Sequence, residues 1–158
     1  MEIQPYEPRH LDAVVRLSLR AWAPVFASIE SVMEPAVFRA MHPDWRTTQK
    51  AAVEATCADA QMHVWVAVEE GTTAGFVALR LHAEDGIGEV YMIAVDPDFQ
   101  RRGIARALIA HSERWLREAG MSVAMVETGG DPGHAPARSA YESAGYRVLP
   151  IARYFKKL

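Results

Sequence analysis

The chain has 158 residues, 50% of them hydrophobic and 23% charged, with a formal net charge of -3. That balance fits one soluble folded domain over residues 1–158 and excludes a disordered chain or a general nucleic-acid binder, whose footprint is strongly basic. The single cysteine, Cys57, leaves no intramolecular disulfide or multi-cysteine metal site and reads as a small hydrophobe in the packing. The amino-terminal stretch MEIQPYEPRHLDAVVRL has no basic segment leading into an apolar one, and no run of about 18 apolar residues follows, so the chain reads as cytoplasmic with no membrane partner.

Residues 2–6 fit a short strand, and Pro8 then opens a helical pattern carried by Leu11, Val14, Val15, Leu17 and Leu19, expected to end before Pro24. From Ser28 to about Ala60 the pattern is helical but broken at Pro35 and at His42-Pro43, which predicts short helices with Val32, Ala36, Val37 and Ala40 as a buried stripe. The period then changes. Residues 63–68, 74–81 and 88–95 are rich in β formers, and turns at Glu69-Glu70-Gly71 and Glu84-Asp85-Gly86 join them into an antiparallel meander stopped by Asp96-Pro97-Asp98. Strand alternation puts Glu89, Tyr91, Ile93 and Val95 on one face.

From Gly103 to Glu118 an amphipathic helix places Ile104, Leu108, His111 and Trp115 on one side, and Gly120 ends it. Ser122 to Glu127 is a short apolar strand, parallel to its predecessor because a helix connects the two. A Gly/Pro-rich loop leads to a helix over Ala137–Ala144, stopped by Gly145, and residues 146–149 and 151–155 are expected to be final strands.

The chemistry concentrates in VDPDFQRRGIARAL, residues 95–108, where a strand ends and a helix begins. The first N–H groups of a helix lack internal partners and, with the macrodipole, attract anions. Gly103 and Ala105 keep the approach clear, while Arg101, Arg102 and Arg106 add charged donors, a combination suited to phosphate or pyrophosphate. A turn with a solvated basic rim is the plainer alternative. No GxxxxGK[ST] loop or helix-opening GxGxxG competes.

Gln100-Arg101-Arg102-Gly103-Ile104-Ala105 resembles the Q/R-x-x-G-x-G/A motif of the GCN5-related N-acetyltransferases, and Ala137-Arg138-Ser139-Ala140-Tyr141-Glu142-Ser143-Ala144-Gly145-Tyr146 is similar to that family's A-x-x-x-Y-E-x-x-G-F/Y segment. One helix and one strand separate the two, as in the family. The resemblance implies an α/β (α+β) fold: a mixed, largely antiparallel sheet of about six to seven strands flanked by helices, with splayed parallel central strands.

It further implies acetyl-CoA as co-substrate and no metal. The amides of Arg101, Arg102, Gly103, Ile104, Ala105 and Arg106 would seat the pyrophosphate, and the backbone of Ile93 and Val95 would pair with the pantetheine arm. Tyr141 stands at the position of the tyrosine that protonates the departing thiolate. Glu89, eleven residues before Gln100, sits at an offset similar to that of the catalytic glutamate in family histone acetyltransferases. Glu127 is the alternative carboxylate. His134, seven residues before Tyr141, replaces an asparagine that contacts the cofactor arm in many members and is a third group able to hold a proton.

The acceptor side falls to the first helices, with Trp22 and Phe26 as candidates at a helix end and Tyr154 closing the same pocket, while Phe38, His42 and Trp45 read more simply as core. The implied activity is acetyl transfer from acetyl-CoA to a primary amine of a small molecule or peptide by direct attack in a ternary complex. A non-catalytic acyl-CoA sensor or interaction domain on the same fold is the alternative. A nucleic-acid module is disfavoured by the net charge, and homodimer formation is left open.

Overall fold

Five strands form one sheet in the order β1-β2-β3-β4-β5, in a computed structural model that describes residues 1–158. β1 (Glu2–Pro5), β2 (Met62–Glu69), β3 (Thr72–His82) and β4 (Ile87–Val95) are antiparallel neighbours, and β5 (Val123–Val126) lies parallel to β4. The expected meander and the expected parallel pair are therefore both present. The link between β4 and β5 is α4 (Ile104–Glu118), because parallel neighbours need a crossover rather than a tight turn.

Each face of the sheet has its own apolar layer. On one side Val14 and Leu17 of α1 (Leu11–Val32) and Val53 of α3 (Trp45–Ala58) meet Val66, Phe76, Ala78 and Ala94. On the other, Ile104, Leu108 and Leu116 of α4 meet Val77, Leu79, Val90 and Val95. Two further helices, α2 (Pro35–Met41) and α5 (Ala135–Ser143), complete the chain. Glu34 caps α2 by accepting from the N–H groups of Ala36 and Val37, and Asp44 caps α3 by accepting from that of Thr47.

Three expectations are corrected. First, α1 does not stop before Pro24 but continues through it to Val32, so Trp22 and Phe26 lie within the helix rather than at its end. A proline inside a helix costs about 3 kcal/mol, and contacts beyond it offset that cost: Phe26 stacks on Trp45 at 4.4 Å and the Ser28 hydroxyl donates to Asp131 at 2.6 Å.

Second, of the stripe assigned to Val32, Ala36, Val37 and Ala40, only Val37 is buried, joined by Phe38. Met33 and Glu34 are extended between α1 and α2, which breaks the helical period so that one stripe cannot span both helices. Third, the sheet has five strands rather than six to seven, because residues 146–149 and 151–155 form none. Pro150, which lacks an N–H, divides that segment, and Val148, Leu149 and Ile151 stand exposed.

Phe76 is fully buried between β3 and the α1–α3 layer. Phe76→Ala should lower unfolding free energy by about 3–5 kcal/mol, read as a lower urea midpoint with an unchanged slope.

Candidate active site

The pairing of β4 with β5 stops early. It runs from Ile87 opposite Val123 to Val90 opposite Val126, whereas β4 stays paired with β3 as far as Val95 opposite Gly75. From Tyr91 to Val95, β4 thus has an open edge on the side where β5 has left the sheet. The gap opens at the carboxyl ends of two parallel strands, where open α/β sheets place their ligands.

A bulge coincides with the split. Opposite β3, Ala78 pairs with Met92 and Leu79 with Val90, so Tyr91 is the extra residue. This overturns the simple alternation of Glu89, Tyr91, Ile93 and Val95. Val90, Ile93 and Val95 face α4, Met92 and Ala94 face α1, and Glu89, next to Val90, points to the α1 side. Tyr91 is pushed outward, where the Arg80 guanidinium lies 4.3 Å from its ring centroid.

The loop after β4 turns sharply into α4. Arg101 and Gly103 both have positive φ, 61° and 83°. Gly103 accommodates this conformation without strain, and Arg101 does not. The N–H groups of Arg101 through Arg106 find no acceptor in the chain. Six donors therefore face outward at the positive end of a helix dipole, with the side chains of Arg101, Arg102 and Arg106 exposed around them. Arg20 of α1 holds the front of the loop through Asp96 at 2.8 Å and Asp98 at 2.9 Å, while Gln100 donates to the Val95 carbonyl at 3.2 Å.

The loop after β5 is tied to the same helix. Ser28 of α1 donates to Asp131, the Gly133 N–H donates to Ser28 Oγ at 2.8 Å, and His134 Nδ1 contacts Asp131 Oδ1. Arg138 donates to the carbonyls of Gly129 and Asp131, fixing the loop to α5. Burial raises the Asp131 pKa, but hydrogen bonds from Ser28 and His134 outweigh it and hold the carboxyl below the usual range.

Tyr141, 8% exposed on α5, is pushed up to about 12 by burial. Its ring centroid lies 6.0 Å from that of Tyr146, whose hydroxyl is pushed to about 12 by burial and by the nearby Glu113 carboxylate. Glu89 is half-buried and hydrogen-bonded to His82 Nε2 at 2.8 Å. Glu127 is exposed and paired with Arg153 at 2.8 Å. Trp22 packs against the α1-side core, and Phe26 meets His42 edge-on at 5.3 Å besides stacking on Trp45.

Tyr154 does not close a pocket with Trp22 and Phe26. It is 90% exposed on the irregular C-terminal segment. No three His, Cys, Asp or Glu side chains converge on a metal-sized site. Burial raises the Cys57 thiol to about 11, although a hydrogen bond with Tyr6 works against it, so it is no nucleophile at neutral pH.

The tethers Ser28–Asp131 and Arg20–Asp96/Asp98 carry no sequence signal, since their partners lie 103 and 76 positions apart. The Asp131-to-His134 spacing is the only local trace of the first.

The family model described as Acetyltransferase (GNAT) family matches residues 26–146. A mycothiol acetyltransferase from Streptomyces avermitilis is 35% identical over 82 residues, covering 52% of this chain and 26% of that protein. The chain thus spans about a quarter of that relative's length. Two solved structures show the same fold. The PaiA N-acetyltransferase from Thermoplasma acidophilum, in complex with coenzyme A, aligns with a TM-score of 0.68 at 13% identity, covering 96% of this chain and 94% of that one. The ribosomal-protein-S18-alanine N-acetyltransferase from Escherichia coli has a TM-score of 0.68 at 22% identity, over 94% and 79%.

Tyr141 and Tyr146 bind their protons more tightly folded than unfolded, where a tyrosine titrates near 10.0. Their contribution to stability is complete below pH 10 and is lost as pH rises through about 12. Urea midpoints taken from pH 9 to 11.5 should fall less steeply for a Tyr141→Phe/Tyr146→Phe variant than for wild type.

Proposed function

The chain belongs to the acetyltransferase (GNAT) family, and from that premise we propose that it transfers acetyl from acetyl-CoA to a primary amine of a small molecule or peptide, by direct attack with both substrates bound. The observation that carries this reading is the row of unpartnered N–H groups from Arg101 to Arg106 beside the split between β4 and β5. A pyrophosphate is the anion that matches several adjacent amides flanked by arginines. The coenzyme A held by the Thermoplasma acidophilum neighbour supports the same assignment.

The open edge of β4 offers the backbone of Ile93 and Val95 to the pantetheine amides, as an added strand would be held, with the Val95 carbonyl already accepting from Gln100. His134, at the end of the turn that leads into α5, would line the other side of the split. Trp22 and Phe26 belong to the part of α1 between its tethers Arg20 and Ser28, and they wall the acceptor side.

An alkyl ammonium with a pKa near 10 must lose a proton before it can attack. Glu89 takes that proton through a water, with His82 holding the other side of the carboxylate. Glu127, exposed beyond the end of β5, adds negative charge that draws a cationic acceptor. As the thioester opens, Tyr141 gives its proton to the sulfur. A phenol raised to about 12 is fully protonated at neutral pH, as a proton donor must be.

Thiol release from acetyl-CoA across a panel of amines and peptides tests the activity. Tyr141→Phe should lower kcat by about 100-fold while acetyl-CoA affinity stays within about twofold. Gly103→Glu should abolish acetyl-CoA binding in calorimetry, because it puts a carboxylate into the anion cradle and a side chain at φ 83°. Normal binding by that variant places the pyrophosphate elsewhere.

A further inference from the structure

Acetyl transfer to an amine moves more protons than one acid and one base account for. The ammonium sheds its first proton before attack. The neutral nitrogen then forms the N–C bond, and as the C–S bond breaks its electron pair leaves on sulfur, which takes a proton from Tyr141. The nitrogen, now cationic, must lose a second proton to give the amide, and Tyr141 must regain one. Glu89 has already taken the first proton, so these two transfers call for a further group.

The turn before α5 holds a group fitted to this step. Asp131 Oδ2 accepts from the Ser28 hydroxyl at 2.6 Å and from the Gly133 N–H at 3.0 Å. That leaves Oδ1 for His134 Nδ1. An ionised carboxylate only accepts, so the hydrogen between them resides on Nδ1, and a neutral ring carries its lone pair on Nε2. Nε2 makes no hydrogen bond in the chain and is not sealed off, although the side chain as a whole is only 18% exposed.

The arrangement is sterically committed. A Cβ on Gly133 would sit 2.5 Å from Ser28 Cβ, and one on Gly129 would run into both Asp131 and His134. The other charged group at this turn is Arg138 of α5, whose guanidinium is spent on the carbonyls of Gly129 and Asp131; α1 contributes only the neutral Ser28.

His134 is the residue that precedes α5, and Tyr141 lies about two turns into that helix, about 10 Å further along its axis. The Tyr141 hydroxyl makes no hydrogen bond in the chain and is not sealed off, so water can reach it as it reaches His134 Nε2.

We propose that His134 accepts the second proton from the acceptor nitrogen through Nε2 and returns it to Tyr141 through intervening water, with Asp131 as the positioning residue that fixes the ring and its tautomer. The proposal rests on the acetyltransferase reading above and adds to it. With this step the atoms balance: amine and acetyl-CoA give amide and free thiol, and both side chains return to their starting protonation.

The test uses the full chain, acetyl-CoA, and whichever of spermidine, glucosamine, kanamycin or an unblocked tripeptide wild type acetylates fastest. His134→Ala should lower kcat by about 100-fold with acetyl-CoA KM within about twofold, and added imidazole should restore at least about tenfold. The rescue should grow with pH as imidazole becomes neutral. Asp131→Asn should lower kcat by about tenfold, and the ring 15N shifts of His134 should lose the Nδ1–H signature seen in wild type, a readout that simple loosening of the loop does not produce. Retention of kcat by His134→Ala overturns the proposal. So does a fall that comes with a raised acetyl-CoA KM and no imidazole rescue, which makes His134 a cofactor contact instead. Wild type that binds acetyl-CoA but acetylates no amine overturns the acetyltransferase reading itself, before any His134 variant is needed.

Discussion

The feature on which the rest depends is the early end of the β4–β5 ladder. Two parallel strands joined by a crossover helix would ordinarily pair along their shared length. Here β5 is four residues long and its pairing ends at Val126, while β4 runs on to Val95 beside β3. A parted ladder leaves backbone donors and acceptors unspent, and unpaired groups are costly unless water or a ligand meets them. The bulge at Tyr91 falls where the partner strand departs. It re-aims the side chains so that Ile93 and Val95 close the α4-side core while the backbone edge takes no partner strand.

A gap of this kind holds its width only if both sides are braced, and α1 braces them. Arg20 grips the loop after β4 through Asp96 and Asp98, and Ser28 grips the loop after β5 through Asp131. The two anchors are eight positions apart on the helix, about 12 Å of rigid rod. The same demand accounts for α1 running through Pro24 rather than stopping there. A break would uncouple the two anchors, and the contacts of Phe26 and Ser28 beyond the proline keep the helix going.

What the sequence made legible follows from the range of the forces involved. The meander, the crossover and the α4 amino terminus were readable because periodicity, turn residues and a glycine with positive φ act over a few neighbouring residues. Gly103 and the arginines around it point to the proposed anion site for that reason. α1 outruns the local rule about proline because tertiary contacts outweigh it. Glu89 faces away from Ile93 and Val95 because of a bulge that leaves no mark in the alternation of side chains. Residues 146–155 form no strand because β propensity at Val148, Leu149 and Ile151 is only a preference, and it needs a pairing partner to become a strand.

Asp131 shows why position in the fold, more than residue type, decides a role. In sequence it is an ordinary loop acid beside a proline, and its Asp-x-x-His spacing is common. In the structure its two oxygens are divided, one spent on α1 and on its own turn, the other on the imidazole. Because the first set of bonds anchors the carboxylate, the second orients the ring. A single side chain therefore both braces the split and determines which nitrogen of His134 is free. Loss of the Ser28 bond would loosen the brace, while loss of the carboxylate charge would leave the brace largely in place and change the imidazole. Structural and chemical contributions can thus be separated at one residue, through its two oxygens.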